Sequence, residues 1–181
     1  MQDQTVTAGL GSDDFKAAFR DHPAGTAVIT ADSGTGPVGL TATSVFSVSV
    51  EPPTIVFSLS DISSSTPAIR AAETVVVHLL GVEDLWLAKL CSTSGIDRFA
   101  DTTLWTRLPT GEPYFPTASR WIRGEVVSRT PVGTATMIAV RALESGVRPS
   151  DDDTTTPAPP TPLVYHNRTW HALGSHSEVR N

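Results

Sequence analysis

The feature of this sequence that most constrains its fold is a succession of short β-branched runs separated by turn-forming residues. Residues 54–59 (TIVFSL) and 74–80 (TVVVHLL) are such runs, and the turn-rich segment 32–37 (DSGTGP) separates two others. Side chains that branch at Cβ favour strands, whereas clusters of Gly, Pro, Asp and Ser favour turns. Strands and helices do not alternate regularly, as a parallel sheet would require. We therefore predict a mainly β protein whose antiparallel strands close into a barrel, with a few short helices at its rim.

The pattern predicts about eight strands and three short helices. The longest strands are expected at residues 119–129 and 134–144, and the last two strands form a hairpin around Asn167 and Arg168. The first helix begins near Ser12, which we interpret as its N-cap. The other two helix signals are Thr66 as an N-cap followed by Pro67, and an apolar face along residues 83–91.

A chain of 181 residues has the length of one domain. We predict a single domain at residues 12–174, a flexible arm at residues 1–11 and a tail at residues 175–181. The segment 149–162 contains the acidic, Pro-rich stretch DDDTTTPAPPTP and is predicted to be a flexible loop.

Charge and cysteine content exclude several classes of protein. The formal net charge is −6, whereas nucleic-acid binders present clustered Lys and Arg to the phosphates. A single cysteine, Cys91, excludes a disulfide within the chain. The apolar runs are far shorter than the roughly 20 residues of a membrane helix, and no apolar signal segment is visible. We expect a cytoplasmic protein that binds neither nucleic acid nor a membrane.

Common motifs of nucleotide, metal and hydrolase sites are absent from the chain. It contains no GxxxxGK[ST], no HExxH, no CxxC and no GxSxG. Among the five histidines, only His166 and His171 have a spacing to consider for a metal, and the predicted hairpin places them across its turn. We predict no metal site.

Two hydroxyl-rich stretches carry the clearest chemical signal. The first is residues 41–47 (TATSVFS), and the second joins residues 58–60 (SLS) to residues 63–67 (SSSTP), just before a predicted helix. Hydroxyls and free backbone N–H groups at a helix start favour a bound phosphate, to which Arg70 or Arg98 could add a charged contact. The alternative interpretation is a plain serine-rich loop before a capped helix.

Seven short landmarks occur along the chain in order. They are Phe19 with residues 23–30 (PAGTAVIT), residues 38–49 (VGLTATSVFSVS), 51–53 (EPP), 58–60 (SLS), 63–68 (SSSTPA), 97–99 (DRF) and 162–166 (PLVYH). In this order and spacing the chain, from about Phe15 to Leu173, resembles the small flavin reductases of two-component monooxygenases. Those proteins have the FMN-binding split-barrel fold, which the resemblance therefore implies here.

The resemblance also implies a flavin site built from these landmarks. Its members would be Thr41, Ala42, Thr43 and Ser44 at the isoalloxazine and ribityl chain, Ser58, Leu59 and Ser60 at the polar edge of the ring, Ser63, Ser64 and Ser65 at the phosphate, and Arg98 and Phe99 closing over the flavin. On the nicotinamide side the candidates are Pro23 and His166.

The activity implied by the resemblance is an NAD(P)H:flavin oxidoreductase. It would move a hydride from NADH or NADPH to FAD or FMN, and the reduced flavin would leave to serve a separate monooxygenase. Positioning of the two ligands suffices for the hydride step, without an acid–base residue. Members of this family are usually homodimers, which we expect here as well.

Two positions depart from the family pattern and keep other functions open. Many relatives have Gly-Asp-His where this chain has Gly133, Thr134 and Ala135, so the imidazole on the nicotinamide side is missing. Relatives often have Asn at His78, and a lone histidine on a strand is typically structural. The alternatives are a non-catalytic flavin-binding carrier or sensor, and a split-barrel oxidase with a resident flavin.

Overall fold

The computed structural model describes residues 9–149 and 159–179, and within these ranges strands are the commonest element. Most of the predicted arm (1–11) and of the predicted loop (149–162) lies outside the described residues. The helices are α1 (Ser12–Arg20), α2 (Thr66–Ala71) and α3 (Leu85–Ser92), with 3₁₀ turns at Val82–Asp84 and Ser175–Ser177. The strands are β1 (Ala24–Gly25), β2 (Ala27–Asp32), β3 (Pro37–Ala42), β4 (Phe46–Val50), β5 (Pro53–Ser60), β6 (Thr74–Leu79), β7 (Thr106–Arg107), β8 (Pro113–Tyr114), β9 (Arg120–Val132), β10 (Ala135–Val147), β11 (Leu163–His166) and β12 (Thr169–Ala172).

Seven of these strands form one antiparallel sheet in the order β3-β2-β6-β9-β10-β5-β4. Strands β3 and β4 lie at opposite edges, although β3 ends at Ala42 and β4 begins at Phe46. A link this short spans about 14 Å at most when extended, so the two edges approach each other. The sheet thus curls into a barrel that is split between β3 and β4, which confirms the predicted mainly β split barrel.

The two longest strands, β9 and β10, form a hairpin with Gly133 and Thr134 at its turn. Gly133 has a φ of +58°, and Gly adopts this left-handed conformation without a Cβ penalty. A two-residue turn with a left-handed Gly at its first position matches the twist of the flanking strands. Both strands were predicted, and they end at Val132 and Val147, beyond the predicted ends at residues 129 and 144.

The barrel interior holds the main hydrophobic core. Ile29, Phe57, Val77 and Ile138 are among its fully buried side chains. A second core lies outside the barrel, where Val28 of β2 packs with α3 and the loop that follows it. Strand β2 is therefore covered on both faces, which explains why its residues are nearly all buried.

His78 on β6 lies between the barrel and the second core and is completely buried. Its Nδ1–H donates to the carbonyl of Val28 at 3.1 Å, and its Nε2 accepts the N–H of Phe115 at 3.0 Å. Burial lowers the pKa of His78 to about 4, so the neutral ring that both hydrogen bonds require is favoured. This arrangement agrees with the structural role expected for a lone histidine on a strand.

A small sheet joins the two ends of the chain, in the strand order β1-β11-β12. Ala24 pairs with Tyr165 in this sheet, so the segment after α1 lies against the C-terminal hairpin. The turn of that hairpin has left-handed backbone at Asn167 (φ 45°) and Arg168 (φ 62°), as a two-residue turn of this kind needs. The predicted closing hairpin is confirmed.

The structure differs from the prediction at short elements and at helix caps. In the described residues there are twelve strands rather than eight, chiefly because β1, β7 and β8 are two residues long and leave no periodic pattern. The N-cap of α1 is Gly11 rather than Ser12, and the N-cap of α2 is Ser65 rather than Thr66. Both predicted caps lie one residue inside their helix.

Within the described ranges, no helix has both the length and the apolar character needed to cross a membrane. In the same residues, His, Cys, Asp and Glu form no cluster of three or more suited to a metal ion.

Candidate functional site

The split of the barrel is filled by the residues that join β3 to β4. Ser44, in this segment, is fixed to β5, because its hydroxyl accepts the N–H of Ser58 at 3.1 Å and donates to the carbonyl of Ser58 at 3.3 Å. The two hydroxyl-rich stretches of the sequence thus meet in space. Clefts open around this segment and the end of β3, beside Thr41, Thr43 and Ser44 in turn.

The first cleft, which we call the serine cleft, has a volume of about 440 Å³. It brings together Thr41, Ser63, Ser64 and Arg98, four of the residues expected to bind flavin. Arg70, the alternative source of positive charge, instead forms an ion pair with Asp61 at 3.5 Å. The full lining is Leu40, Thr41, Ile62, Ser63, Ser64, Cys91, Ser92, Ser94, Gly95 and Arg98.

Arg98 is held across one side of the serine cleft by three hydrogen bonds. Its Nε donates to the carbonyl of Cys91 at 3.1 Å, and its Nη2 donates to the carbonyl of Thr93 at 2.8 Å. Its Nη1 donates to the hydroxyl of Ser65 at 3.3 Å. No carboxylate of the described residues forms an ion pair with Arg98, so its charge is not neutralised by an acidic side chain there.

The loop before α2 presents backbone donors beside this guanidinium. Its shape is fixed because the carbonyl of Ser60 accepts the N–H of Ser63 at 3.2 Å and the hydroxyl of Thr66 at 2.6 Å. Among the described residues, the N–H groups of Ser64 and Ser65 have no hydrogen-bond acceptor in the protein. The serine hydroxyls, free N–H groups and a guanidinium form a donor set that fits a phosphate group.

The hydroxyl of Ser65, which was expected at the flavin phosphate, is bonded to the protein itself. The side chain is buried, and its hydroxyl donates to the carbonyl of Gly39 at 2.9 Å. The hydroxyl therefore joins the loop to β3, and the group that Ser65 has left for a ligand is its backbone N–H.

Three other residues predicted at the flavin site have buried side chains. Phe99 does not close over a cleft, because its ring is packed in the second core at 5.1 Å from Trp105 and 5.4 Å from Phe115, measured between ring centroids. Leu59 and Ala42 point into the barrel core. Any contact from these two residues to a ligand would come from the backbone alone.

The second cleft lies between α1 and the β11–β12 hairpin, and we call it the helix–hairpin cleft. Its volume is about 370 Å³, and Thr43 lies on its wall. Pro23 and His166, the candidates for the nicotinamide side, do not line it, although their neighbours do. The lining residues are Phe15, Lys16, Phe19, Arg20, His22, Ala24, Thr43, Tyr165, Asn167 and Arg168.

Sequence reasoning missed the cationic residues of this cleft. Lys16 and Arg20 belong to α1, whereas Arg168 lies at the distant hairpin turn, so no local motif unites them. The pairing of Ala24 with Tyr165 is what brings the two regions together. His166 faces its hairpin neighbour instead, with its ring centroid 5.6 Å from that of His171.

The third cleft, of about 230 Å³, is mostly apolar and lies at the end of the β9–β10 hairpin. We call it the apolar cleft. Ala135 and Met137 line one side of it, and Ser44 and Ser58 line another. Ala135 occupies the position where many relatives are expected to have an imidazole. Ala135, where this chain departs from the family pattern, therefore lies in the same cleft as Ser44 of the segment that joins β3 to β4.

The one cysteine lines the serine cleft without being a reactive group. Cys91 is buried, and burial raises the pKa of its thiol to about 12. A thiol with so high a pKa is almost wholly protonated near neutral pH and is a poor nucleophile.

Comparison with known proteins identifies the class to which this arrangement belongs. A model of the family "Flavin reductase like domain" matches residues 19–174. An NADH:FMN oxidoreductase from Rhodococcus qingshengii is 43% identical over 166 residues, covering 92% of this chain and 84% of that protein. A flavin reductase domain protein from Arthrobacter sp. has a crystal structure with a TM-score of 0.81 and 30% identity, covering 91% of this chain and 96% of that one.

A further solved structure is the styrene monooxygenase flavin reductase from Pseudomonas putida, with a TM-score of 0.72 and 26% identity. The match covers 88% of this chain and 97% of that one. The split-barrel fold is thus that of a flavin reductase. The chain belongs to the flavin reductase like domain family.

Proposed function

We propose that this protein reduces free FMN with NADH and releases the reduced flavin to a separate oxygenase. Membership of the family makes it an NAD(P)H-dependent flavin reductase, an oxidoreductase. FMN and NADH are the pair in the name of the Rhodococcus relative. The name of the Pseudomonas putida relative links a flavin reductase to a styrene monooxygenase, which supports transfer of reduced flavin to a partner.

The observation that carries the proposal is the position of the segment from Thr41 to Ser44. Its residues line the serine cleft, the helix–hairpin cleft and the apolar cleft in turn. Hydride transfer needs two ligands in contact, each bound by its own part of the protein. Clefts that converge on one short segment satisfy that requirement.

In this proposal the serine cleft binds the flavin phosphate. Ser63 and Ser64 supply hydroxyls, the N–H groups of Ser64 and Ser65 are the proposed backbone donors, and Arg98 supplies positive charge. A bound flavin supplies the acceptor of the hydride. Thr41, Thr43 and Ser44 then orient it, and Ser58 and Ser60 are the proposed contacts at the polar edge of the ring.

The remaining residues contribute by shape rather than by proton transfer. The apolar cleft around Ala135 and Met137 offers apolar surface beside Ser44, against which a flat ring can pack. No imidazole is needed there, because the hydride step depends on orientation and distance. The absence of the Gly-Asp-His sequence is therefore compatible with activity.

A homodimer is part of the proposal, because the barrel exposes an unusually apolar surface. A cleft of about 380 Å³ on the sheet is lined by Phe46, Val50, Leu79 and Ile122, among others. Val50 is 88% exposed and Phe46 is 56% exposed. Contiguous apolar surface of this kind typically marks an interface, and a second copy of the chain would cover it. We also propose a cytoplasmic location, where NADH is available as a reductant.

The proposal is tested by steady-state NADH consumption with excess FMN, followed in the nicotinamide absorbance band. We expect consumption well above a blank that contains flavin but no protein, and a lower rate with NADPH. Absence of consumption with either nucleotide would contradict the reductase and leave the flavin carrier or sensor. Flavin that stays bound stoichiometrically through gel filtration would contradict release and favour an oxidase with resident flavin.

A further inference from the structure

Two histidines on the C-terminal hairpin take no part in the proposed function. His166 and His171 have the spacing that was considered for a metal, and the sequence led to the prediction of no metal site. In the structure neither residue lines the serine cleft, the helix–hairpin cleft or the apolar cleft. The fold nevertheless brings their rings together, with 5.6 Å between the ring centroids and 54° between the ring planes.

The pairing of β11 with β12 explains why the two rings meet. In this antiparallel register Val164 lies opposite His171, two residues before His166 on the same strand. Residues opposite each other share a face of the sheet, and so do residues two apart along one strand. His166 and His171 are therefore diagonal neighbours on one face of the hairpin. Tyr165 lies on the other face and lines the helix–hairpin cleft.

The separation of the two rings suits the binding of one metal ion by both. Imidazole nitrogens bind Zn²⁺ at about 2.0–2.1 Å, so two rings on one ion have centroids about 4.5 Å apart at a right angle and about 6.4 Å apart in line. The 5.6 Å between the centroids of His166 and His171 lies inside this range. A small rotation of the side chains is then enough to direct one nitrogen of each ring to a common point.

The pair is accessible from solvent. His171 is exposed and His166 is half-buried, and no ion pair of the described residues involves either ring. The described part of the chain adds no third His, Cys, Asp or Glu to the pair, so water would complete the coordination. A site with two protein ligands is expected to bind more weakly than the sites of zinc proteins, which have three or four.

We propose that His166 and His171 bind one divalent transition-metal ion, in a two-histidine site that joins β11 to β12. Imidazole is a ligand for Zn²⁺, Cu²⁺ and Ni²⁺, whereas Mg²⁺ and Ca²⁺ prefer oxygen ligands. The ion would stabilise the folded chain, because the unfolded chain does not hold the two rings together. The site uses none of the three clefts, so failure of this proposal and failure of the proposed function are independent results.

Titration calorimetry of Zn²⁺ into untagged, flavin-free protein tests the site. For the wild type we expect one ion for each chain and a micromolar dissociation constant. His171→Gln and His166→Gln should each weaken binding at least about tenfold, since changes to residues that merely support a ligand already cost about that much. His176→Gln is the matched control, because it removes an exposed histidine outside the pair, and it should leave the affinity unchanged.

A spectroscopic and a thermal measurement complete the test. Electron paramagnetic resonance of the wild type with one equivalent of Cu²⁺ should show coupling to two imidazole nitrogens. Zn²⁺ at about ten times its dissociation constant should raise the wild-type melting temperature by about 3–6 °C and leave that of the His166→Gln/His171→Gln double variant unchanged. The proposal is overturned if the wild type binds no Zn²⁺ below about 1 mM, if the double variant keeps the wild-type affinity, or if Cu²⁺ couples to one nitrogen only.

Discussion

The Nη1 atom of Arg98 lies 3.3 Å from the hydroxyl oxygen of Ser65, and this contact joins the loop after α3 to the loop before α2. The hydroxyl of Ser65 donates in turn to the carbonyl of Gly39 on β3. The guanidinium is therefore fixed through Ser65 to β3, and it lines the serine cleft. A binding site fixed in this way loses little conformational freedom when an anion arrives.

Replacement of Arg98 should weaken flavin binding, because it removes the positive charge and the hydrogen bonds that Arg98 makes to Ser65, Cys91 and Thr93. For Arg98→Met we expect FMN affinity to fall by at least about tenfold, because hydrogen bonds to a charged group are worth about 1.5–3 kcal/mol. Arg98→Lys should recover part of that loss, since its ammonium keeps the charge without the fork of donors. Flavin fluorescence titration gives the affinities, and thermal unfolding shows how much of the change is structural. Equal affinities in all three proteins would contradict the phosphate role of Arg98.

A negative charge at Ser64 should oppose the flavin phosphate directly. Ser64 is exposed on the loop, so Ser64→Asp is expected to fold normally and to bind FMN at least about tenfold more weakly, which corresponds to about 1.4 kcal/mol. Ser128→Asp places the same charge on an exposed position of β9 and serves as the control. If riboflavin, which lacks the phosphate, loses as much affinity as FMN, then the phosphate is not bound at Ser64.

Acidification should destabilise the fold through His78. Its folded-state pKa of about 4 lies below the ordinary value of 6.5, so the unfolded chain binds more protons between these two pH values. Stability is therefore fully present above about pH 6.5 and falls as the pH is lowered toward 4, by about 3 kcal/mol for this group. Urea unfolding at several pH values measures the slope.

The variant His78→Asn isolates that contribution. The amide of Asn can donate to the carbonyl of Val28 from about the position of Nδ1, and it does not titrate in this range, although it is too short to reach the N–H of Phe115. We expect a flatter dependence of the free energy of unfolding on pH, whereas His176→Asn, at an exposed position, should leave the slope as it is. An unchanged slope in His78→Asn would assign the acid sensitivity to other groups.

An ion pair with a buried carboxylate should make Arg148 important for stability. Asp84 is completely buried and accepts hydrogen bonds from the N–H groups of Gly81 (2.8 Å) and Ser119 (3.0 Å), while Nη2 of Arg148 lies 2.5 Å from its other oxygen. Arg148→Met would leave that buried carboxylate without its counter-ion, at a cost of about 3–5 kcal/mol. Chemical denaturation measures the loss. Arg141→Met, which breaks the exposed pair with Glu125, should cost less than about 1 kcal/mol.

A charge on the apolar sheet surface should dissociate the proposed homodimer. Val50 is almost fully exposed at the end of β4, so Val50→Glu should not disturb the barrel of one subunit. Analytical ultracentrifugation is expected to show a dimer for the wild type and a monomer for the variant. A monomeric wild-type protein would contradict the homodimer.

Sequence patterns predicted the barrel because strand and turn preferences are local. The β-branched runs and the hairpin at Asn167 and Arg168 each depend on neighbouring residues, and all are present in the structure. The closing of the sheet also follows from the short link between β3 and β4. Two-residue strands were missed because they are too short to show a periodic pattern. The helix caps were placed one residue too late, because a shift of one residue leaves the periodic pattern almost the same.

The direction of a side chain was harder to predict than the position of its residue. Phe99 and Ser65 lie in the expected landmarks, yet one ring is in the second core and one hydroxyl is bonded to β3. The helix–hairpin cleft was missed for another reason. Lys16 and Arg168 are far apart in the chain and become neighbours of one cleft only through the pairing of β1 with β11.

The central claim is that flavin is a substrate that enters and leaves, and an anaerobic titration tests it most directly. A small amount of protein is mixed with a large excess of FMN, without oxygen, and NADH is added stepwise. We predict that NADH consumption continues until all of the FMN is reduced, one equivalent for each flavin and many for each protein molecule. Consumption that stops at about one equivalent for each protein molecule, or that never begins, would contradict it.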